Sequence, residues 1–332
     1  MLKGVIKCPN LSIFASLKES HTHPDISTIE EQETPSFAPQ STPEIERRYV
    51  HHVYDAIAPH FSSTRFSKWP KVAAFLNSLP PRSLVLDVGC GNGKYLGLNP
   101  SCFFVGCDIS PSLAMICSDK GHEVVVADAV SIPFRTGFGD AAISIAVLHH
   151  LSTENRRRRA VEELVRVVKN GGLVLITVWA REQQDETLVT KWTPLGENYL
   201  EEWVGPGYSR VRSTSMNSLE RIEETEENNG ADLGNESGTR DGAEGDEQQE
   251  YFVPWHLPYH RVEVGGASTS AVASGLAKRD DMKSAIVYKR YYHVFREGEL
   301  ERLASSLDNA VIVDRFFDKS NWCIILKKIG DK

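Results

Sequence analysis

Residues 87–93 read Asp-Val-Gly-Cys-Gly-Asn-Gly. The run grows out of a short strand, Leu84–Val88, and is expected to lead into a helix. Glycines at a strand end let the backbone turn tightly and approach a ligand without a Cβ in the way. A dinucleotide-binding turn of the form GxGxxG needs a third glycine where this chain has Lys94 or Leu96. Here the pattern is DxGxGxG, headed by an acid. A carboxylate at that point disfavours a pyrophosphate, whereas a zwitterionic amino-acid moiety tolerates or uses it.

Working outward, strand and helix patterns alternate. Apolar stretches at Phe103–Cys107, Glu123–Ala127, Ala141–Val147 and Leu173–Val178 read as strands two to five. Arg156–Val168 reads as a helix closed by Lys169-Asn170-Gly171-Gly172, with glycine as the C-terminal cap. Upstream, Ile45, Tyr49, Val53 and Ile57 recur at helical spacing within 44–60, and Pro59 is expected to end that helix. A second helix is expected at about 69–78. Downstream come a helix, Glu297–Leu307, and two strands, Ala310–Phe316 and Trp322–Lys328. The expected fold is α/β: a doubly wound, mostly parallel sheet of about seven strands, Rossmann-like, with a terminal antiparallel hairpin at its edge.

In such folds the second strand ends on a carboxylate that meets ribose hydroxyls. Asp108 stands there, seventeen residues after Gly91. Asp128 and Ala129 close the third strand, where an adenine ring is expected, and Ala146 closes the fourth. Asp87, Gly89, Gly91, Gly93, Asp108, Ile109, Asp128, Ala129 and Ala146 are therefore the candidate cofactor residues, and the cofactor is read as S-adenosylmethionine. After strand four the chain reads Ala146-Val147-Leu148-His149-His150 rather than [ND]PP[YF], the tetrapeptide often found in enzymes that methylate amines. None of the six cysteines stands where a nucleophile for carbon methylation is expected. Oxygen is the better default acceptor.

The flanks constrain the partners. Net charge is −8, but residues 219–250 carry twelve acids against two arginines, so the remainder is close to neutral and RNA is not excluded. The cysteines form no CxxC pair and fit neither a zinc site nor a disulfide framework, as in reduced intracellular proteins. No run approaches the roughly 18 apolar residues that span a bilayer. Residues 1–43 read as a disordered tail, and the domain as 44–328, interrupted by disordered insertions at about 209–250 and 262–284. Between the insertions, 251–260 reads as an ordered, docked loop. The acid-free first 18 residues leave an organelle-targeted alternative beside a cytoplasmic, or also nuclear, location.

Five segments go beyond the glycine loop: YVHHVYDAIAPHFSSTRFSKWP (49–70), DVGCGNGKYLGLNP (87–100), ISIAVLHHLST (143–153), FVPWHLP (252–258) and RYYHVFREGEL (290–300). Together they resemble the wobble-uridine carboxymethyl methyltransferases of tRNA, across about 44–200, 250–260 and 286–328. The resemblance implies a class I methyltransferase sheet. It also implies esterification of the carboxylate of 5-carboxymethyluridine in the anticodon loop, and a small zinc-binding activator subunit as heterodimer partner. No metal is expected in this chain itself.

Arg65, in the FSSTRFSKW segment, is the candidate lid or carboxylate contact. His149 ends strand four and is assigned a substrate role, with His150 as its structural neighbour. Trp179 ends strand five, where it can stack on a flipped base. Trp255, His256, Arg290, Tyr292 and His293 mix basic and aromatic types, as anticodon-loop recognition requires. The run Arg156–Arg159 reads first as a solvated helix face. Two rivals stand beside this reading. One is a small-molecule or lipid O-methyltransferase, which predicts an apolar pocket around Arg65 and Arg290. The other is a non-enzymatic relative that no longer binds the cofactor.

Overall fold

The computed structural model describes residues 41–196, 248–262 and 267–330. The expected tail, its targeting reading and nearly all of the acidic insertion lie outside the described residues.

The strands are β1 Leu84–Val88, β2 Phe103–Asp108, β3 Val124–Val126, β4 Gly139–Ile145, β5 Val168–Trp179, β6 Thr193–Pro194, β7 Glu250–Pro258, β8 Ala277–Asp280, β9 Ala285–His293, β10 Ala310–Asp318 and β11 Asn321–Lys328. Seven of them form one sheet in the order β10-β11-β5-β4-β1-β2-β3. Strands β1 to β5 run parallel. The β10–β11 hairpin closes one edge antiparallel, as expected. The chain runs outward from β1 to β3, then returns to place β4 on the other side of β1. That reversal opens a crevice at the carboxyl ends of β1 and β4.

Helices cover both faces. Helix α3 (Pro70–Ser78) lays Val72, Phe75 and Leu76 on one face against Val85, Ile143 and Leu175. On the other, α5 (Glu154–Val167) packs Ala160, Val161 and Leu164 with Leu86, Val174 and Ile324. Thr153 caps α5 by accepting from the Arg156 amide at 3.2 Å. Helix α4 (Pro111–Asp119) starts with proline at its first position and Ser110 accepting from the Leu113 amide.

Several local expectations are corrected. No regular helix follows the glycine run. Residues 91–101 form successive turns, with Gly93 bonding Cys90, Leu96 bonding Gly93 and Leu98 bonding Tyr95. Gly171 does not cap α5, which ends at Val167 with Val168 already extended. The β4–β5 register jumps from Gly139–Val168 to Ala141–Leu173, so 169–172 form a bulge in which Gly171 adopts φ +82°. Pro59 does not end its helix. After α1 (Glu44–Glu46) and a π-helical turn at Arg47–His51, α2 runs through it from His52 to Thr64. The residues beyond it offset the lost hydrogen bond. Phe61 packs edge-on to Tyr54 with centroids 5.5 Å apart and lies 5.9 Å from Trp255.

The largest difference is a second, antiparallel sheet, β6-β7-β9-β8. The expected loop at 251–260 is strand β7. Its prolines at 254 and 258 are tolerated because β6 pairs only with Tyr251 and Phe252, leaving an open edge beyond among the described residues. Residues 267–284, expected to be disordered, hold helix α6 (Ala267–Ala273) and β8. Ala271 and Ala277 are buried with Val53, Ile57, Trp255 and Tyr288, so this segment has the apolar contacts that its Ser- and Gly-rich composition obscures. After Gly298 at φ +78°, α7 spans Glu299–Ser305.

Candidate active site

The crevice between β1 and β4 opens into a cavity of about 470 Å³. Asp87, Gly89, Gly91, Asp108, Ile109, Asp128, Ala129 and Ala146 line it, with Arg65, His149, Trp179, Arg290 and Tyr292. Gly93, Trp255, His256 and His293 do not.

At one end the backbone is shaped for a ligand. Gly89 and Cys90 donate to the Cys107 carbonyl at 2.8 and 3.0 Å, bending the chain off β1. A Cβ on Gly89, at φ +77°, would lie 2.3 Å from Val147 Cγ2. Ala146, the first residue past β4, is held at φ +62° with its amide donating to Thr177. A left-handed non-glycine residue is uncommon, and such strain concentrates at functional sites. Gly93 instead shapes the turn, since a Cβ there would meet Cys117 Sγ at 3.0 Å.

Three carboxylates face this end. Asp87 is buried, and its Oδ2 has no hydrogen-bond partner. Burial, and then the neighbouring Asp108, push its pKa up to about 7, while Lys94 pulls the other way. Asp108 accepts from the Gly91 amide at 2.7 Å and the Ser110 amide at 2.9 Å, tying the glycine loop to β2. Burial raises its pKa to about 6 despite those bonds. Asp128 accepts from Val130 N and from Arg156 Nη2 at 2.8 Å. Arg156 also holds Glu46 through Nε at 2.9 Å, which fixes α1 over this end. The arginine run is thus half wrong as a solvated face: Arg156 and Arg157 are buried, while Arg158 and Arg159 are exposed.

The donor set fits S-adenosylmethionine. An orphaned buried carboxylate suits an ammonium, Gly89 and Gly91 bring bare backbone to the cavity wall, and Asp108 and Asp128 stand where ribose and adenine are expected.

The opposite end is aromatic and cationic. The His149 ring stacks on Tyr292 at 4.7 Å and 12°, and Trp179 lies 4.6 Å from Tyr292. The Trp179 amide donates to His149 Nδ1 at 3.2 Å, which leaves the imidazole proton on Nε2. Burial, then His150 and Arg290, hold the His149 pKa well below its ordinary value, so the ring is neutral. His150 donates from Nδ1 to the Tyr291 carbonyl at 2.9 Å and accepts from the Tyr54 hydroxyl at 2.9 Å. Arg290 Nη1 donates to the Tyr292 hydroxyl at 2.9 Å. Arg65 and Arg290 lie over one indole, Trp255, at 4.8 and 4.9 Å.

The remaining tRNA candidates are placed differently. Trp255 sits behind the wall as the platform for both guanidiniums. His256 is exposed on the other face of the second sheet, 3.3 Å from Lys283. His293 is buried between Glu250 and Glu299, at 2.6 Å from each, and is structural. Four residues that the sequence reading passed over contribute here. Tyr54, Lys94 and Glu46 line the cavity, and Asn92 donates to the carbonyls of Ser62 and Arg65, joining the glycine loop to the Arg65 segment. The buried face Arg156–Ala160–Leu164, at four-residue spacing, was the one signal that could have exposed the Arg156 bridge.

Fold and site together define a class I, S-adenosylmethionine-dependent methyltransferase. A methyltransferase domain family matches residues 86–176. The chain is 63% identical to the tRNA (carboxymethyluridine(34)-5-O)-methyltransferase of Arabidopsis thaliana, over 87% of this chain and 82% of that protein. It is 34% identical to the enzyme of the same name from Schizosaccharomyces pombe, over 86% of this chain and 98% of that one. The chain belongs to the tRNA (carboxymethyluridine(34)-5-O)-methyltransferase family. Among solved structures, an S-adenosylmethionine-dependent methyltransferase from Methanosarcina mazei aligns with 80% of this chain and 100% of its own, at 14% identity and a TM-score of 0.45.

Proposed function

We propose that this chain esterifies the carboxylate of 5-carboxymethyluridine at the wobble position of tRNA, using S-adenosylmethionine. The observation that carries the reading is the polarity of the cavity. Acids Asp87, Asp108 and Asp128 line the cofactor end, and guanidiniums Arg65 and Arg290 face the other. That suits a cationic donor opposite an anionic acceptor. A lipid or small-molecule enzyme predicts an apolar pocket here, whereas this wall sets two guanidiniums among its aromatic rings.

When bound, the cofactor supplies an electrophilic sulfonium methyl, and an acceptor carboxylate with pKa about 4 is already ionised at neutral pH. No general base is needed, which agrees with a neutral, buried His149. The work left to the protein is alignment and exclusion of water. His149 presents Nε2–H, and the His149–Tyr292–Trp179 wall offers ring faces to a base taken out of the anticodon stack.

The activator subunit implied by the sequence resemblance has a surface that suits it. Among the described residues strand β3 is the sheet's open edge, three residues long, with Val125 and Val126 exposed. An unpaired apolar edge favours a partner that adds a strand or covers it. The test is transfer of labelled methyl, by the assembled heterodimer, to tRNA bearing 5-carboxymethyluridine and, in parallel, to tRNA whose wobble uridine lacks the carboxymethyl group. The expected product is the methyl ester on the carboxymethyl RNA alone, identified by nucleoside mass spectrometry. No transfer to that RNA by the complex rejects the assignment.

A further inference from the structure

We propose that Arg290 is the receptor for the acceptor carboxylate and makes the site select the acid over its neutral amide. This rests on the ester-forming reading above.

Arg290 is 6% exposed, and its Nε has no hydrogen-bond partner. Among the described residues no carboxylate pairs with it. Its Nη1 bond goes to the Tyr292 hydroxyl, and Trp255 takes its face. The chain of donors explains why no negative charge is supplied. His150 Nδ1–H donates to the Tyr291 carbonyl, so its Nε2 must accept from Tyr54. The Tyr54 oxygen then accepts from Tyr292 at 3.4 Å, and the Tyr292 oxygen accepts from Arg290. Every acceptor in that chain is neutral. Burial lifts the Tyr292 phenol well above its ordinary range, so it stays protonated.

A buried, uncompensated guanidinium is costly and is normally paired. Here a second guanidinium, Arg65, lies over the same ring. Two like charges on one indole repel, and an anion in the cavity that both arginines line relieves both the repulsion and the unmet Nε. Arg290 lines the cavity beside His149 and Trp179, so the anion it awaits is one that enters there. A guanidinium offers a planar fork that matches a carboxylate; an amide presents a donor to it and no charge.

The acceptor's charge fades as the ester forms. An interaction with that charge is stronger before the reaction than at its transition state. Loss of Arg290 therefore falls mainly on acceptor binding, with kcat changed less than KM.

The experiment uses the heterodimer loaded with S-adenosylhomocysteine and two anticodon stem-loops, one with 5-carboxymethyluridine and one with its carbamoylmethyl amide. Wild type should bind the acid at least tenfold tighter. Arg290→Gln should lose roughly tenfold to hundredfold in acid binding, as expected for hydrogen bonds to a charged group. Amide binding and S-adenosylhomocysteine affinity should hold, and Arg290→Lys should keep part of the preference. If wild type prefers the acid and R290Q prefers it equally, the proposal is overturned and the esterification reading stands. Equal weakening of both RNAs assigns Arg290 to a backbone phosphate and also overturns it. Failure of wild type to methylate the acid RNA removes the functional reading itself. Should R290Q lose S-adenosylhomocysteine binding, Tyr292→Phe decides: it must weaken acid binding at least threefold and spare the amide.

Discussion

Asp87→Asn should make the ligand-free protein more stable at alkaline pH while removing most of its cofactor affinity. Asp87 is buried, and its pKa stands at about 7 against an ordinary 3.8. The folded state thus holds a proton that the unfolded chain has released over that whole window. Stability falls as pH rises from about 4 to 7, and the difference corresponds to about 4 kcal/mol in full. About 2.5 kcal/mol of it develops between pH 5 and pH 8. The amide carries no charge and escapes this term, though its own unmet hydrogen bonds cost about 1–3 kcal/mol at every pH. The absolute gain at pH 8 is therefore about 1–3 kcal/mol. For a domain of this size that is a rise of about 3–10 °C in Tm.

The assay is thermal unfolding of both ligand-free proteins at pH 5 and pH 8, with calorimetry of S-adenosylhomocysteine binding at pH 8. That ligand keeps the ammonium and lacks the sulfonium, so it isolates the contact expected of Asp87. Loss of a buried ion pair predicts roughly a hundredfold or greater loss of affinity. Two results refute the reasoning: a variant whose stability depends on pH as the wild type's does, or one that binds S-adenosylhomocysteine within threefold of wild type.

Three further expectations follow from the same geometry. Arg156→Met should cost about 3–5 kcal/mol in unfolding free energy, because it strands Glu46 as a buried acid and leaves the half-buried Asp128 without its ion pair, and denaturant titration will measure it. Gly89→Ala should abolish S-adenosylhomocysteine binding, and Val147→Ala in the same chain should restore it only partly, since the φ of +77° remains after the 2.3 Å clash is gone. The rate should show no inflection from His149 between pH 6 and 8, because burial keeps its pKa well below 6.5; an inflection near 6.5 that vanishes in His149→Gln would contradict a neutral ring.

The cofactor end was legible because backbone geometry dictates residue type there. Positive φ at Gly89, Gly91 and Gly93 requires glycine, and a carboxylate at the end of β2 is set by the register of a parallel sheet. The substrate end was only half legible, for a reason that lies in period two. Arg290, Tyr292 and His293 were grouped by composition. Once 285–293 is a strand, side chains alternate, so Arg290 and Tyr292 face the cavity while His293 turns to Glu250 and Glu299. The same alternation separates Trp255 from His256 on β7. The alternation was hidden because both faces of β9 are largely buried, one by α2 and the other by Tyr49 and Ile45, so no polar face marked the strand.

The second sheet is also what joins the two ends of the reaction. Its strand β9 carries Arg290 and Tyr292 to the cavity, and the Tyr291 carbonyl between them orients His150. Helix α2 completes the link through Tyr54, and Asn92 of the glycine loop grips the carbonyl of Arg65 just past the helix end. Cofactor loop and anion wall are therefore tied by a chain of hydrogen bonds, as alignment of an ionised acceptor demands. Joining a cationic donor to an anionic acceptor yields two neutral products. A water-poor cavity favours such a reaction, since opposite charges attract more strongly there and their loss costs no resolvation. The neutral ester no longer answers the charge of Arg290, so the guanidinium that captures the substrate has weaker hold on what leaves.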